Sequence, residues 1–366
     1  MKTTIACALV LCIVMSQCHS KLPNIISHGD GLFYHFSSSS PQVKIYTSTT
    51  SLQSQFELPF GPESVKVVPG TRQLAVIGTN RTRVRELVLY DVCEEKVVKR
   101  KELSRNGNIV LVDPQYIYVN YPDDLDTCIT RYDVLSLSSI NGSACISGTA
   151  KMLGTLNRPQ SAIFTGGYDG LSITSLDLKS FTFWPQQKAL TGTLLYAGGE
   201  NIITYDGVDK ITTYKVEPSN SVIQEDINVI AESSLDLTGG IKVLKPDLCN
   251  TGFVNIIGYS DDSGSFISLF RVDLATGLLV NQDPVKIDLQ TLSVSEELMQ
   301  MIEISFSSVP IAASVSSNTL FLSNLDNQVF SVDLSNGDLR SIDGFKQKLS
   351  SRLSGNGRCT NHVCST

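Results

Sequence analysis

A short pattern of alternating apolar residues recurs along the chain, and most copies end on an Asp followed by an aliphatic residue. The clearest copies are 87–92, 129–134, 173–178, 269–274 and 329–334, and two weaker copies without the Asp are 43–47 and 211–216. The marker position at the end of the copies falls at residues 47, 91, 133, 177, 215, 273 and 333, with gaps of 44, 42, 44, 38, 58 and 60 residues. Alternation with a period of two predicts β-strands, and this spacing predicts a repeat of strand-rich units.

The residues around each copy predict four strands per repeat. Between residues 64 and 103, apolar segments at 65–68, 73–77, 84–92 and 96–100 are separated by turn-forming residues. Residues 108–148 and 311–342 follow the same order. Each repeat is therefore predicted to form one antiparallel sheet whose two faces need neighbouring sheets to bury them.

The Asp that ends the strand is interpreted as a turn residue. Its side chain can accept hydrogen bonds from the backbone N–H groups that follow, which fixes the hairpin. We assign this structural role, rather than a catalytic one, to Asp91, Asp133, Asp177, Asp273 and Asp333.

The strand ends at 272–277 and 332–337 carry an apolar-Asp-apolar segment followed by Gly, and here the sequence resembles the seven-bladed β-propellers, particularly the quinoprotein-like type. The resemblance covers nearly the whole chain after residue 20 and implies an all-β, seven-bladed β-propeller of four-stranded antiparallel blades. The resemblance does not extend to a quinone cofactor, because quinoprotein enzymes have recurrent tryptophans and this chain has a single Trp. The chain also lacks the Gly-His and Trp-Asp pairs of ordinary WD-repeat proteins.

The N-terminal 20 residues are typical of a secretory signal peptide. Lys2 precedes an apolar run over 5–15, and the small residues Cys18 and Ser20 stand where a cleavage site needs them. That run is too short to span a bilayer, and no later segment is long and apolar enough to do so. We therefore expect secretion to the extracellular space, a propeller over 21–344 and a flexible tail with two cysteines over 345–366.

Composition narrows the class of protein. With 42% hydrophobic residues the chain can bury a core, so intrinsic disorder is excluded. A net charge of −7 argues against nucleic acid as a partner.

In an oxidising compartment the cysteines beyond residue 20 are disulfide candidates, with the pair Cys128 and Cys145 favoured because they lie in neighbouring predicted strands. These candidates are Cys93, Cys128, Cys145, Cys249, Cys359 and Cys364. Two sequons mark Asn80 and Asn141 as glycan acceptors.

Two predicted turns between second and third strands are acidic. They contain Asp123, Asp124 and Asp126 in one case, and Asp261 and Asp262 in the other. Clustered carboxylates could bind Ca²⁺, but neither turn fits a calcium-loop pattern, and a plain polar turn is the competing interpretation. Two long insertions, 217–240 and 279–306, are expected to connect the outer strand of one repeat to the inner strand of the next, on the same face as these turns. A capping box at Ser293 in the second insertion predicts a short helix. This face is the predicted interaction surface.

No nucleophile elbow, HExxH or P-loop pattern occurs, so the sequence does not indicate an enzyme. We predict a secreted binding module for an extracellular protein or glycan. A Ca²⁺-dependent propeller hydrolase and an acidic extracellular matrix protein are the alternatives.

Overall fold

The protein is built entirely from β-strands in the part of the chain that can be described. The computed structural model describes residues 23–27, 32–37, 39–47, 52–123, 126–147, 153–156, 161–165, 173–184, 192–217, 229–237, 242–247, 253–260, 266–278, 280, 285–288, 312–316, 319–323, 329–333 and 339–341. Within these ranges no helix is long and apolar enough to cross a membrane.

The strands come in runs of four consecutive strands, which we call units 1 to 7. Units 1 and 2 contain β1 Pro23–Ser27, β2 Leu32–Ser37, β3 Ser40–Thr47, β4 Leu52–Glu57, β5 Pro62–Val67, β6 Gln73–Thr79, β7 Arg85–Asp91 and β8 Lys96–Glu102. Units 3 and 4 contain β9 Asn108–Val112, β10 Tyr116–Asp123, β11 Asp126–Asp133, β12 Ser139–Ser147, β13 Leu153–Leu156, β14 Ser161–Thr165, β15 Ile173–Asp177 and β16 Thr182–Trp184.

The later units follow the same plan. Unit 5 contains β17 Thr193–Gly199, β18 Asn201–Tyr205, β19 Lys210–Val216 and β20 Val229–Asp236. Unit 6 contains β21 Lys242–Asp247, β22 Phe253–Ser260, β23 Phe266–Asp273 and β24 Val285–Asp288. Unit 7 contains β25 Ala312–Ser316, β26 Thr319–Ser323, β27 Val329–Asp333 and β28 Leu339–Ser341.

Each unit is an antiparallel sheet whose strands pair in sequence order. Units 4 and 5 join into one eight-stranded sheet because their first strands, β13 and β17, also pair in parallel. The prediction of an all-β chain made of four-stranded antiparallel sheets is confirmed. The repeated sequence pattern lies in the third strand of each unit, from β3 to β27.

The alternation within a third strand buries both of its faces, against different neighbours. In β7, Leu87 and Leu89 belong to a cluster shared with unit 3, whereas Val88 belongs to a cluster shared with unit 1. Similar clusters join unit 3 to unit 4 and unit 5 to unit 6. Apolar burial between successive sheets is therefore what holds the units side by side.

The first strands of successive units lie next to one another. β5 contacts β9, β9 contacts β13, and β17 contacts both β13 and β21. β1 contacts β25, so the first unit of the chain meets the last. β1 itself pairs with β2 of its own sheet.

Each antiparallel unit has two ends, which we name by their connections. The 3–4 end carries the turn from the first strand to the second and the turn from the third strand to the fourth. The 2–3 end carries the turn from the second strand to the third and the connection from the fourth strand to the next unit. The parallel pairing of β13 and β17 places these ends on the same side in units 4 and 5.

The expectation that both long insertions join outer to inner strands on one face was wrong. The first, 217–240, contains β20, so residues 217–228 connect a third to a fourth strand at the 3–4 end. The second, 279–306, contains β24, and the residues after 288 lead to β25 at the 2–3 end. The number of residues between two third strands includes both the connection to the fourth strand and the connection to the next unit. This number alone therefore did not show which of the two connections is long. The helix predicted at 293–302 lies outside the described residues.

Candidate functional site

A pocket of about 410 Å³ opens at the 3–4 end between units 3 and 4. Its lining residues come from the first turn and strands of unit 3 and from the last turn of unit 4. They are Asp113, Gln115, Tyr116, Tyr118, Arg131, Leu178 and Lys179. Two sheets therefore contribute to one cavity, and its shape depends on how they pack together.

Arg131 is the central charged group of this pocket and is only 5% exposed. Its guanidinium lies over the ring of Tyr116, 4.5 Å from the centroid, and over that of Phe181 at 5.1 Å. Nη1 donates a hydrogen bond to the backbone oxygen of Leu178. Nε is buried and has no hydrogen-bond partner. The cation is therefore stabilised by two ring faces and one carbonyl, and it also interacts with the hydroxyl of Tyr118, whose pKa it lowers.

The strand pattern explains why a cation is buried here. Arg131 stands two residues before the marker Asp133, at the position that Leu89 occupies in unit 2. Leu89 packs toward the next unit, and Arg131 reaches the next unit in the same way. The β11–β12 register shifts between Thr130 and Arg131. A long cationic side chain therefore replaces a short apolar one at an interior position.

Asp113 organises the opposite wall of the pocket. Its Oδ1 accepts hydrogen bonds from the backbone N–H groups of Gln115 and Tyr116, each at 2.7 Å, and so closes the turn between β9 and β10. Its Oδ2 accepts a hydrogen bond from the Tyr118 hydroxyl at 3.0 Å. Burial, followed by the negative charge of Asp113, raises the pKa of Tyr118, while Arg131 partly opposes this rise. Tyr118 therefore stays a neutral donor.

The pocket carries a net positive charge. Arg131 and Lys179 line it together with a single acid, Asp113. Among the described residues no carboxylate lies within ion-pair distance of Arg131, and the Lys179 residue is exposed. Burial of a guanidinium carries a cost of desolvation, which an anionic partner would offset.

One predicted glycan acceptor lies at the rim of the pocket. Asn141 is exposed, and its Nδ2 donates to the backbone oxygen of Lys179 at 3.3 Å. Asn80 lies at the 2–3 end, where its Nδ2 donates to Glu86 at 2.8 Å and its Oδ1 accepts the N–H of Val84 at 3.0 Å. Whether either asparagine carries a glycan stays a prediction.

Four of the Asp residues interpreted as turn residues accept hydrogen bonds from the turn after the third strand. The observed donors are the N–H groups of Cys93 and Glu94 to Asp91, Ser136 to Asp133, Lys179 to Asp177 and Ala275 to Asp273, at distances from 2.7 to 3.0 Å. The side chain of Asp333 lies outside the described residues. The residue after each of these four acids packs toward the preceding unit: Val92, Val134, Leu178 and Leu274.

The acidic turns are only partly described. The positions of Asp123 and Asp126 face each other at the ends of β10 and β11, and Asp126 is exposed. Asp124, Asp261 and Asp262 lie outside the described residues. Within the described part of the chain no group of three or more side chains forms a candidate metal site. Ca²⁺ binding at these turns stays a prediction.

Cys128 and Cys145 form a disulfide bond and lie directly opposite each other on β11 and β12. Cys93 is also disulfide-bonded. Cys249, Cys359 and Cys364 lie outside the described residues, so the remaining connectivity stays a prediction.

The sequence pattern did not indicate Arg131 or the pocket. The available signal was an Arg inside the repeated strand pattern at 129–134, but the copy at 269–274 has Arg271 at the same position, so the Arg alone does not distinguish the site. The pocket is formed by residues of two units, and no local sequence pattern indicates which residues of the two units meet.

No protein-family model matches the sequence, and no curated protein matches it. Many solved structures share its fold, and Hsv2, KlAtg21 and Cps50 are three of them. Hsv2 from Kluyveromyces marxianus is 12% identical with a TM-score of 0.54, and the match covers 91% of this chain and 100% of that one. KlAtg21, solved in complex with the coiled-coil of AgAtg16, is 13% identical with a TM-score of 0.55, over 88% and 98%. The β-propeller domain of Cps50 (Swd1) from Myceliophthora thermophila is 10% identical with a TM-score of 0.51, over 86% and 97%.

Identities this low establish the fold alone. The chain is a β-propeller, in keeping with its antiparallel sheets of consecutive strands.

Proposed function

We propose that this protein is a secreted, seven-bladed β-propeller that acts as a binding module for an extracellular protein. Seven units of four strands, with β1 against β25, support a single closed ring. The apolar run over 5–15 and the disulfide between Cys128 and Cys145 support passage through an oxidising secretory compartment. A glycan partner is the alternative at the same surface.

The observation that carries this proposal is the positively charged pocket at the 3–4 end. A rigid ring presents this end as a fixed surface, on which Arg131 is buried without an acidic partner. The structure of KlAtg21 with the coiled-coil of AgAtg16 shows that a propeller of similar fold can present a surface to a protein partner. By analogy, we assign the 3–4 end as the partner-binding surface.

The test compares two charge reversals. Lys179→Glu changes an exposed lysine at the pocket, and Lys99→Glu changes an exposed lysine on the outer strand β8. Both side chains are on the surface, so neither substitution should alter the melting temperature by much. The mature wild-type protein and both variants would be immobilised, exposed to the native extracellular fluid and analysed by mass spectrometry.

We expect the wild type and Lys99→Glu to retain the same protein, and Lys179→Glu to lose it. Equal retention by all three would remove the 3–4 end as the binding surface. Failure of the expressed protein to reach the culture medium, or an N-terminus that retains residues 1–20, would overturn the proposed secretion.

A further inference from the structure

The guanidinium of Arg131 has an incomplete set of partners. Nη1 is used by the carbonyl of Leu178, whereas the buried Nε has no acceptor. The rings of Tyr116 and Phe181 stabilise the cation through their faces, but neither supplies a negative charge or a hydrogen-bond acceptor in the guanidinium plane. The cavity beside this group is large enough to admit a side chain.

We propose that this pocket binds the carboxylate of an acidic side chain, Asp or Glu, presented by the protein partner. This inference rests on the proposed function and names the chemical group that the 3–4 end recognises. A carboxylate matches the planar fork of an arginine and can accept two parallel hydrogen bonds from it. It would supply both the acceptor that Nε lacks and the anion that the buried cation lacks.

The other charges of the pocket favour a single carboxylate. Lys179 lies at the rim and adds a second positive charge. Asp113 is already engaged, because its oxygens accept two backbone N–H groups and the Tyr118 hydroxyl. Its negative charge leaves the pocket with a net charge of one positive unit. One carboxylate neutralises this charge, whereas a multiply charged anion would lose more hydration on entry and leave the pocket with a net negative charge.

A peptide fits the pocket better than an acidic sugar does. Sugars are commonly held by stacking on an exposed aromatic face. Here the rings of Tyr116 and Phe181 already face the guanidinium, and Phe181 is 3% exposed. The pocket therefore offers charge and hydrogen bonds, with little free aromatic surface.

The direct test uses three probes of defined chemistry. They are the tripeptide acetyl-Gly-Glu-Gly-amide, its Gln counterpart, and glucuronic acid as the acidic sugar. Binding to the complete mature protein would be followed by saturation-transfer difference NMR titration. We expect the Glu peptide to bind at least tenfold more tightly than the Gln peptide and than glucuronic acid.

Three variants separate recognition from folding. Lys179→Gln removes the rim charge from an exposed side chain and is expected to weaken binding of the Glu peptide severalfold at an unchanged melting temperature. Arg131→Gln is expected to abolish it. Asn201→Ala removes a comparable side-chain hydrogen bond, to the carbonyl of Leu274, between units 5 and 6, which contribute no residue to the lining of the pocket, and should leave binding intact.

Equal binding of the Glu and Gln peptides, or undiminished binding by the folded Lys179→Gln variant, would overturn the carboxylate assignment. Preferential binding of glucuronic acid would also overturn it in favour of an acidic sugar. These outcomes do not decide whether the 3–4 end binds a protein, since Lys179→Glu tests that separately by partner retention.

Discussion

The side-chain amide of Asn201 in unit 5 donates a hydrogen bond to the backbone oxygen of Leu274 in unit 6, at 3.0 Å. Arg131 of unit 3 makes the corresponding bond to Leu178 of unit 4. Both acceptors directly follow a marker Asp, whose carboxylate accepts N–H groups of the turn and holds that turn in place. The carbonyl group after the marker Asp is thus held in a fixed position facing the preceding unit. A polar side chain of that preceding unit can donate a hydrogen bond to it.

This relationship predicts that Asn201→Ala lowers the free energy of unfolding by about 1 kcal/mol, the net value of a typical hydrogen bond. Asn201 is 6% exposed, and its Oδ1 has no partner, so the donor group provides the contribution. Urea unfolding, monitored by circular dichroism, would measure the change.

Asn201→Asp provides the matched control, since it keeps the size of the side chain but replaces the donor with a carboxylate facing a carbonyl. We expect it to destabilise the protein more than Asn201→Ala does, because it also buries an unpaired charge. If the Asp variant were as stable as wild type, the contact with Leu274 would have no energetic role.

Most of the fold could be predicted from the third strands. Their alternation is conspicuous because both faces are buried, as the packing of Leu87 and Val88 toward different units shows. The fourth strand β20 was missed because a long connection at 217–228 separates it from the third strand with which it pairs. The number of residues between two third strands does not indicate which connection is long.

The site could not be predicted in the same way, because it forms between units. Arg131 and Leu178 are 47 residues apart and meet only when units 3 and 4 pack together. The sequence shows an Arg in a strand pattern but not the rings of Tyr116 and Phe181 beside it. Local periodicity describes one sheet at a time, whereas binding pockets of this kind need two.

The turn role of the marker Asp leads to a second prediction. Asp91 is 7% exposed, and its Oδ1 accepts the N–H groups of Cys93 at 2.9 Å and Glu94 at 3.0 Å. We expect Asp91→Ala to destabilise the protein by about 1–2 kcal/mol, as the loss of a capping side chain does. Asp91→Asn retains an acceptor oxygen and should cost less. Equal losses in the two variants, measured by urea unfolding, would contradict a role that depends on the acceptor.

The parallel contact between units 4 and 5 leads to a third prediction. A Cβ atom at Gly154 would lie 2.5 Å from both the Cβ and the carbonyl oxygen of Ala197. We expect Gly154→Ala to lower the melting temperature because it overpacks this boundary by about 1–3 kcal/mol. In an Ala197→Gly background the cost should be smaller, since the Cβ of residue 197 is gone while its carbonyl oxygen and its Cα, at 2.9 Å, remain close. A strictly additive double-mutant cycle would show that the clash is not between these residues.

The buried tyrosine pair in unit 3 leads to a fourth prediction, concerning pH. The hydroxyls of Tyr121 and Tyr132 lie 2.7 Å apart and are buried. Burial raises the pKa of both residues; their hydrogen bond raises the pKa of Tyr121 further and partly opposes the rise for Tyr132. The unfolded chain loses these protons near pH 10, at about the ordinary tyrosine pKa, while the native protein keeps them. The tyrosines therefore leave stability unchanged below about pH 10 and lower it as the pH rises further.

Two variants test this prediction by urea unfolding at neutral and alkaline pH, with tyrosinate absorbance recorded in parallel. Tyr121→Phe leaves the Tyr132 hydroxyl buried without its partner, which should cost about 1–3 kcal/mol at neutral pH. The double variant with Phe at both positions removes both hydroxyls, so it should be nearly as stable as wild type at neutral pH and lose less stability in alkali. If the double variant lost stability with rising pH as steeply as the wild type, other groups would be responsible for the alkaline transition.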